Sequence, residues 1–173
     1  MRWVLRILGG VAVLIALVIL VGLARPGTHV AHTRATYAVP PAELWDTLTA
    51  FAAWPEWYPE IAAVRALPDR DGHRVIELTS SWGRVPAELT VFEPPQRMQT
   101  SLATGSFRGS WTYVLEPIAA GTMLTVTERG AVDNPVMRTL MIFMDEHATM
   151  LDFHRALAVR LGVSTTGAKL MAQ

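Results

Sequence analysis

The chain has 173 residues, 15 basic and 15 acidic side chains and no cysteine, and 51% of its residues are hydrophobic. This length suits one ordinary domain, the apolar content excludes disorder over most of the chain, and the lack of cysteine excludes disulfides, thiolate metal sites and a cysteine nucleophile. Residues 1–25 contain three arginines and no acid, so the rest of the chain carries 12 basic and 15 acidic side chains, which is not the basic footprint of a nucleic-acid-binding protein.

The chain begins with an apolar segment. Residues 7–24 form an uncharged run of 18 positions, which as a helix would measure roughly 27 Å, close to the thickness of a hydrocarbon core. Trp3 extends the segment to the depth where an amphipathic ring prefers the interface. We therefore predict that residues 3–24 contact a membrane and that residues 1–27 form an anchor and linker.

A cleaved signal peptide is the alternative, because Arg2 and Arg6 form a basic n-region and small residues precede Arg25. The apolar run is longer than the usual signal-peptide core of roughly 7 to 15 residues, which favours an uncleaved anchor. Arg2, Arg6 and the α-amino group lie before the run, and Arg25 and Arg34 follow it. The N-terminal side of the run therefore carries a small excess of positive charge. This small bias predicts a single pass through the cytoplasmic membrane with the domain on the extracytoplasmic side.

A domain is predicted over residues 28–162. β-Branched residues between Val30 and Val39 favour a strand, and the proline-led segment from Pro41 to Phe51 has the apolar spacing of a short helix. Residues 54–59 contain two prolines and favour a short second helix or turn. Trp54 and Trp57 are expected to pack beneath it, with a cavity-mouth or membrane-facing role as the alternative. Turn signals at spacings of about 10 to 15 residues from 61 to 131 predict an antiparallel meander.

A long helix is predicted to close the domain. Asp133-Asn134-Pro135 supplies a cap followed by proline, and the apolar pattern continues to Leu161 before Gly162. Residues 163–173 have no strong periodicity and are expected to form a flexible tail.

This order of elements resembles the START-like or SRPBCC superfamily, in particular its polyketide cyclase/dehydrase and lipid-transport group. The sequence segments that carry the resemblance are PPAELWDTLTAFAAWPEWYP, EPPQRM and GSWTYVLEPIAAGTMLTVTERG, within residues 30–161. The resemblance implies an α+β helix-grip fold, in which a curved antiparallel sheet wraps around a long C-terminal helix and a cavity between them often accepts an apolar molecule. None of these segments is a catalytic motif, so no catalytic residue is assigned.

Aromatic and methionine side chains are the candidates for lining such a cavity. Alternation in the strand beginning at Phe107 places Phe107, Trp111 and Tyr113 on one face, and the apolar sector of the helix contains Phe143 and Met150. These residues could equally form a filled core. With His147 and His154 they make up the predicted ligand-binding set for a hydrophobic small molecule or lipid.

The two helix histidines are the least ordinary polar residues of that set. His147 and His154 are seven residues apart, so on a helix their side chains point in nearly the same direction, toward the sheet. They lie roughly 10 Å apart along the helix axis, which is too far for both to bind one metal ion. Satisfied core histidines, a contact to a ligand's polar group and a proton shuttle are the alternatives. His29 and His32 lack a third ligand and read as linker histidines, so neither a metal nor another cofactor is predicted.

Glu77, Glu88 and Glu128 fall in predicted strands, where any one of them could act as an acid or base, although surface positions are more common for carboxylates. The sequence therefore favours a membrane-anchored domain that binds a hydrophobic small molecule. A cyclase, dehydratase or hydrolase that uses the same cavity is one alternative, and a protein-interaction module with a collapsed cavity is another.

Overall fold

The computed structural model describes residues 2–81, 83–105, 107–143, 148–163 and 166–170. Short 3₁₀ turns lie at Phe51–Ala53 and Met141–Phe143. The helices and strands, in chain order, are α1 Arg2–Ala24, β1 Thr28–Tyr37, α2 Pro41–Thr49, α3 Trp54–Trp57, β2 Ile61–Arg70, β3 His73–Ser80, β4 Gly83–Glu93, β5 Arg97–Thr104, β6 Phe107–Ile118, β7 Gly121–Val132, α4 Pro135–Leu140, α5 Ala148–Leu161 and β8 Thr166–Leu170.

The strands form one antiparallel sheet in the order β2-β3-β4-β5-β6-β7-β1-β8. Strands β2 to β7 are a meander, in which each strand pairs with the next along the chain. β1 returns to pair with β7 over its whole length, from Thr28 opposite Ala131 to Tyr37 opposite Thr122. The α+β helix-grip architecture predicted from the sequence is confirmed.

The face of the sheet that packs on α5, here called the inner face, follows from the register. Thr33, Val126, Tyr113 and Met98 are successive partners across β1, β7, β6 and β5, and all four are buried. Because side chains alternate along a strand, every second residue from these positions also belongs to the inner face. α2 covers one end of this face with Leu44, Trp45 and Leu48, which are its buried residues.

The C-terminal helical region differs from its prediction. We expected one helix from Pro135 to Leu161, but α4 ends at Leu140, a 3₁₀ turn follows, and α5 begins at Ala148. The start of α4 was predicted correctly, since the Asn134 side chain accepts hydrogen bonds from the backbone N–H groups of Val136 and Met137. The two helices bury different surfaces, because α5 packs on β1 and α4 packs on α1. An apolar periodicity that runs through both could not reveal this change of partner.

The segment after α5 also differs from its prediction. β8 pairs antiparallel with β1, with Thr33 opposite Leu170 and Arg34 opposite Lys169, and so adds an edge strand where a flexible tail was expected. Backbone hydrogen bonds supplied by the free edge of β1 explain the pairing, and they require no periodicity in the side chains of 166–170.

α1 is long and apolar enough to cross a membrane, with a mean hydropathy of 3.0 over an 18-residue window. Its apolar side chains are exposed, and its buried residue is Gly22. Only three residues, 25–27, separate α1 from β1, and the Gly27 carbonyl oxygen accepts a hydrogen bond of 2.7 Å from Val132 N. The domain is therefore joined to the helix through a short, hydrogen-bonded connection.

Candidate functional site

His154 lies at the centre of the contact between α5 and β1. Its Nε2 is 2.9 Å from Thr33 Oγ1 and its Nδ1 is 2.7 Å from the Tyr37 hydroxyl. The Thr33 hydroxyl donates to Met150 Sδ at 3.7 Å. A neutral imidazole satisfies this chain if Tyr37 donates to Nδ1 and Nε2–H donates to Thr33. His154 is thus a satisfied core histidine, and burial lowers its pKa to about 4.

Aromatic rings fill the space between α5 and the middle of the sheet. The fully buried Phe153 ring has five aromatic neighbours with centroids 5.3 to 6.1 Å away. These neighbours are Trp54, Trp57, Tyr58, Trp111 and Tyr113. The burial of Trp54 and Trp57 agrees with the packing expected for them. This part of the grip is a filled core.

The inner face is less covered at the end where β1 leaves the anchor. We call this region the open half, and we define it by half-buried inner-face residues, namely His29, Leu78, Thr100, Leu102, Phe107, Gly109, Trp111 and Glu128. At the opposite end, inner-face residues such as Ala35, Leu115 and Leu124 are buried. The register places the open half beside the strand ends at Thr28, Thr104, Phe107 and Val132.

Two glycines shape the floor of the open half. An added Cβ at Gly130 would lie 2.0 Å from the His29 ring, and one at Gly109 would lie 2.8 Å from the Phe107 ring. Both rings therefore occupy the place where a side chain would otherwise stand. The floor of the open half is consequently formed by an imidazole and an aromatic ring at these two positions.

A carboxylate of the open half acts electrostatically on two phenols of the filled core. Glu128 Oε1 is 3.5 Å from His29 Nε2, and the two side chains are only 17% and 14% exposed. Burial is the main cause that raises the pKa of Tyr58 and of Tyr113, and the charge of Glu128 raises both further, while a hydrogen bond with Thr100 acts to lower the pKa of Tyr113. Both phenols therefore stay protonated at neutral pH and remain able to donate hydrogen bonds.

One further donor lies nearby without an acceptor. The Nε1 atom of Trp57 is buried and has no hydrogen-bond partner among the residues that the structure describes. Indole N–H groups usually find an acceptor when they are buried. A polar atom of a bound molecule could supply one.

The structure separates the three carboxylates proposed from the sequence. Glu77 faces outward and pairs with Arg65 at 3.2 Å, and Glu88 lies opposite Val75 on the outer face. Only Glu128 belongs to the inner face. The alternation of Leu124, Val126 and Gly130 in β7 is the sequence signal that indicates this inward position.

The predicted ligand-binding residues fall into three groups. Phe107 and Trp111 belong to the open half, whereas Tyr113, Met150 and His154 are buried in the filled core. His147 and the side chain of Phe143 lie outside the described part of the chain. Tyr58 and Thr100 were missed because their approach depends on the packing of α3 against the sheet, whereas Glu128 was proposed from the sequence only as a candidate acid or base.

The histidines assigned to the linker are instead part of β1. His29 contacts Glu128 on the inner face, and His32 Nδ1 is 3.0 Å from Thr127 Oγ1 on the outer face. Within the described ranges, no cluster of three or more His, Cys, Asp or Glu side chains could hold a metal ion.

Two other concave regions are lined mostly by residues that do not belong to the inner face, although both reach His29. A broad groove of about 650 Å³ runs over the outer face and is lined by polar side chains that include Arg70, Arg108 and Glu88. A smaller pocket of about 100 Å³ lies at the junction with the anchor, between Arg25, Arg138 and the start of β1. The outer groove is open and rich in charge, so it suits an apolar molecule less well than the open half.

Comparison with protein families gives a match over most of the domain. The family described as "Polyketide cyclase / dehydrase and lipid transport" matches residues 28–150. No curated protein matches the chain in sequence.

Solved structures share the fold at low sequence identity. The Zhui aromatase/cyclase from Streptomyces sp. R1128 is 13% identical, with a TM-score of 0.65 and coverage of 78% of this chain and 94% of that one. A START superfamily protein from Mycobacterium smegmatis is 18% identical, with a TM-score of 0.57 and coverage of 78% and 97%.

The di-domain ARO/CYC StfQ from the steffimycin biosynthetic pathway is 12% identical, with a TM-score of 0.62. The match covers 79% of this chain but only 53% of StfQ, about half of its length. At these identities the likeness concerns the fold.

Proposed function

Because the chain belongs to the polyketide cyclase/dehydrase and lipid transport family, we propose that it binds a hydrophobic small molecule or lipid at the open half of the inner face while α1 anchors it in a membrane. The observation that carries this proposal is the uneven covering of the inner face. Its far end is packed against α2 and α5, whereas Phe107 and Trp111 stay half-buried at the end next to the anchor.

The chemistry of the open half suits an amphipathic ligand. Phe107, Leu102 and Trp111 offer apolar and aromatic surface. The protonated Tyr58 and the Trp57 N–H are donors on rings that pack against Phe153, which also contacts Trp111. Apolar walls with a few converging polar groups are typical of small-molecule sites. The apolar tail of such a ligand would lie over the open half, and its carbonyl or hydroxyl oxygen would face the Tyr58 and Trp57 donors.

A binding assay on the full chain in nanodiscs tests the proposal, with a dansyl-labelled fatty acid as the probe. We expect Trp111→Ala to weaken binding several-fold, since its ring belongs to the open half. Thr112→Ala is the matched control, because Thr112 is the next residue of β6 and its hydroxyl donates to Gln99 on the outer face. Equal binding by both variants would contradict the proposed site, and native mass spectrometry of the purified chain should find one bound lipid.

A second candidate function is catalysis at the same place. It is favoured by Glu128, a half-buried carboxylate whose charge acts on two protonated phenols, a combination that suits general acid and base steps in a cyclase or dehydratase reaction. Glu128→Gln should abolish turnover of an aromatic polyketide substrate, while the outer-face control Glu88→Gln should retain it. If the parent chain shows no turnover and Glu128→Gln only loses ligand binding, catalysis is contradicted and binding remains as the proposed function.

The proposed location is the cytoplasmic membrane, with one pass and the domain on the extracytoplasmic side. It is supported by the apolar length of α1 and by Arg2 and Arg6 at its N-terminal end. N-terminal sequencing of the mature protein is expected to find residues upstream of Arg25, and a start at Arg25 would show a cleaved signal peptide. Protease added from the outer side should digest the domain.

A further inference from the structure

α4 packs directly along the second half of α1. The Thr139 hydroxyl donates a 2.7 Å hydrogen bond to the Val18 carbonyl oxygen, and Pro135 lies against Gly22. A Cβ added at Gly22 would lie 1.7 Å from the Pro135 oxygen, so glycine permits a backbone approach that any other residue would block. Such close contacts at small residues are typical of helix pairs within membranes.

These contacts fix the direction and depth of α4. Pro135 is level with Gly22 and Thr139 is level with Val18, so α4 runs antiparallel to α1 and back along the anchor. The first charged residue after α1 is Arg25. Val18 lies six residues before Ala24, which places Thr139 about 9 Å below the end of the span.

The side chains of the α4 segment suit a lipid environment. Residues 135–143 read PVMRTLMIF, and Val136, Met137, Leu140 and Ile142 are 37 to 50% exposed in the protein alone. Its polar side chains have internal partners, since the Thr139 hydroxyl lies near two carbonyl oxygens and Arg138 Nε donates to Val132 O at 2.7 Å. The Arg138 guanidinium lies beside Gly27, beyond the end of α1, as expected for a side chain that reaches out of the hydrocarbon.

We propose that the segment Pro135–Phe143 dips into the same bilayer that α1 spans, held there by its packing on Val18 and Gly22, with lipid acyl chains covering its exposed apolar side chains. This inference rests on the membrane anchoring proposed above. It would fix the open half at the membrane surface, because β7 ends at Val132 immediately before the inserted segment.

Single-cysteine labelling tests the inference, because the chain has no cysteine of its own. The full chain is reconstituted in phosphatidylcholine and phosphatidylglycerol vesicles after an NBD fluorophore is attached at Leu140→Cys. Ile15→Cys in the middle of α1 reports anchoring, and Val159→Cys on α5, 81% exposed, is the apolar control away from α1. Each probe is quenched separately with nitroxide on lipid acyl chains and with aqueous iodide.

We expect acyl-chain nitroxide to quench the probes at Ile15 and Leu140 at least about twofold, and iodide to quench only the probe at Val159 strongly. Iodide quenching at Leu140 with lipid quenching at Ile15 would overturn insertion but leave the anchor intact. Iodide quenching at both would overturn the anchor as well. Shielding of Leu140 from both quenchers would mean that protein covers the segment, which also overturns the inference.

A second pair of variants tests the packing on α1. Gly22→Leu in the Leu140→Cys background should move the probe into water, while Gly10→Leu should not, since a Cβ at Gly10 meets no atom within 4 Å. If both variants keep the lipid quenching of the parent, the packing of α4 on α1 does not hold the segment in the bilayer.

Discussion

His154 should make the stability of the fold depend on pH in a defined window. Burial lowers its folded-state pKa to about 4, whereas the pKa of an unfolded histidine is about 6.5. Between these two values the unfolded chain binds a proton that the folded chain does not, so stability falls as the pH falls. The contribution is complete above pH 6.5 and is lost below about pH 4.

The size of the effect follows from the two pKa values. Their difference corresponds to about 3 kcal/mol, because each pKa unit is worth 1.36 kcal/mol. In a domain of this size that free energy lowers the melting temperature by about 6 to 12 °C. The full difference applies to His154 because its side chain is fully buried between Thr33 and Tyr37.

The assay is thermal unfolding of the full chain in detergent at several pH values, comparing the parent chain with His154→Leu. The variant loses about 1 to 3 kcal/mol at pH 7.5, because it removes hydrogen-bond partners of two buried hydroxyls. Its stability should then fall less than that of the parent chain between pH 6.5 and 4. Carboxylates that titrate in both proteins cancel in this difference.

His32→Gln is the matched control, since His32 also lies on β1 but is only half-buried on the outer face. It should keep the pH dependence of the parent chain. Parallel curves for the parent and His154→Leu would refute the reasoning, as would an NMR titration that places the pKa of His154 near 6.5.

Five other substitutions test the packing and a helix cap by denaturant unfolding of the full chain in detergent. Phe153→Ala should cost about 3 to 5 kcal/mol because its ring is fully packed, and Trp111→Ala should cost less because its ring borders the open half; equal costs would contradict the open half. Gly121→Ala should destabilise by more than about 1 kcal/mol, since its φ is +128° and the new Cβ would lie 2.1 Å from a β1 carbonyl oxygen. Gly72→Ala shares the strain of a positive φ, +82°, but should cost less because no atom lies within 4 Å of its new Cβ. Asn134→Ala should cost about 1 kcal/mol through loss of the cap of α4, and an unchanged unfolding midpoint would show that this cap contributes nothing.

The sequence by itself determined the features that depend on neighbouring residues. The uncharged run gave a single apolar helix, the prolines at 40 and 41 marked the start of α2, and Asn134 capped α4 as expected. Alternation in β6 placed Trp111 and Tyr113 on one face. These patterns are local because helix and strand periods, proline geometry and capping act within a few residues.

Only the tertiary structure decided which elements those faces pack against. The periodicity of residues 136–161 shows apolar faces but does not distinguish packing on the sheet from packing on α1, so the division into α4 and α5 could not be predicted. His154 meets Thr33 across 121 positions of sequence, and His29 meets Glu128 across 99. Contacts at such separations depend on strand register and helix placement, and the position of the open half beside the anchor follows from that register.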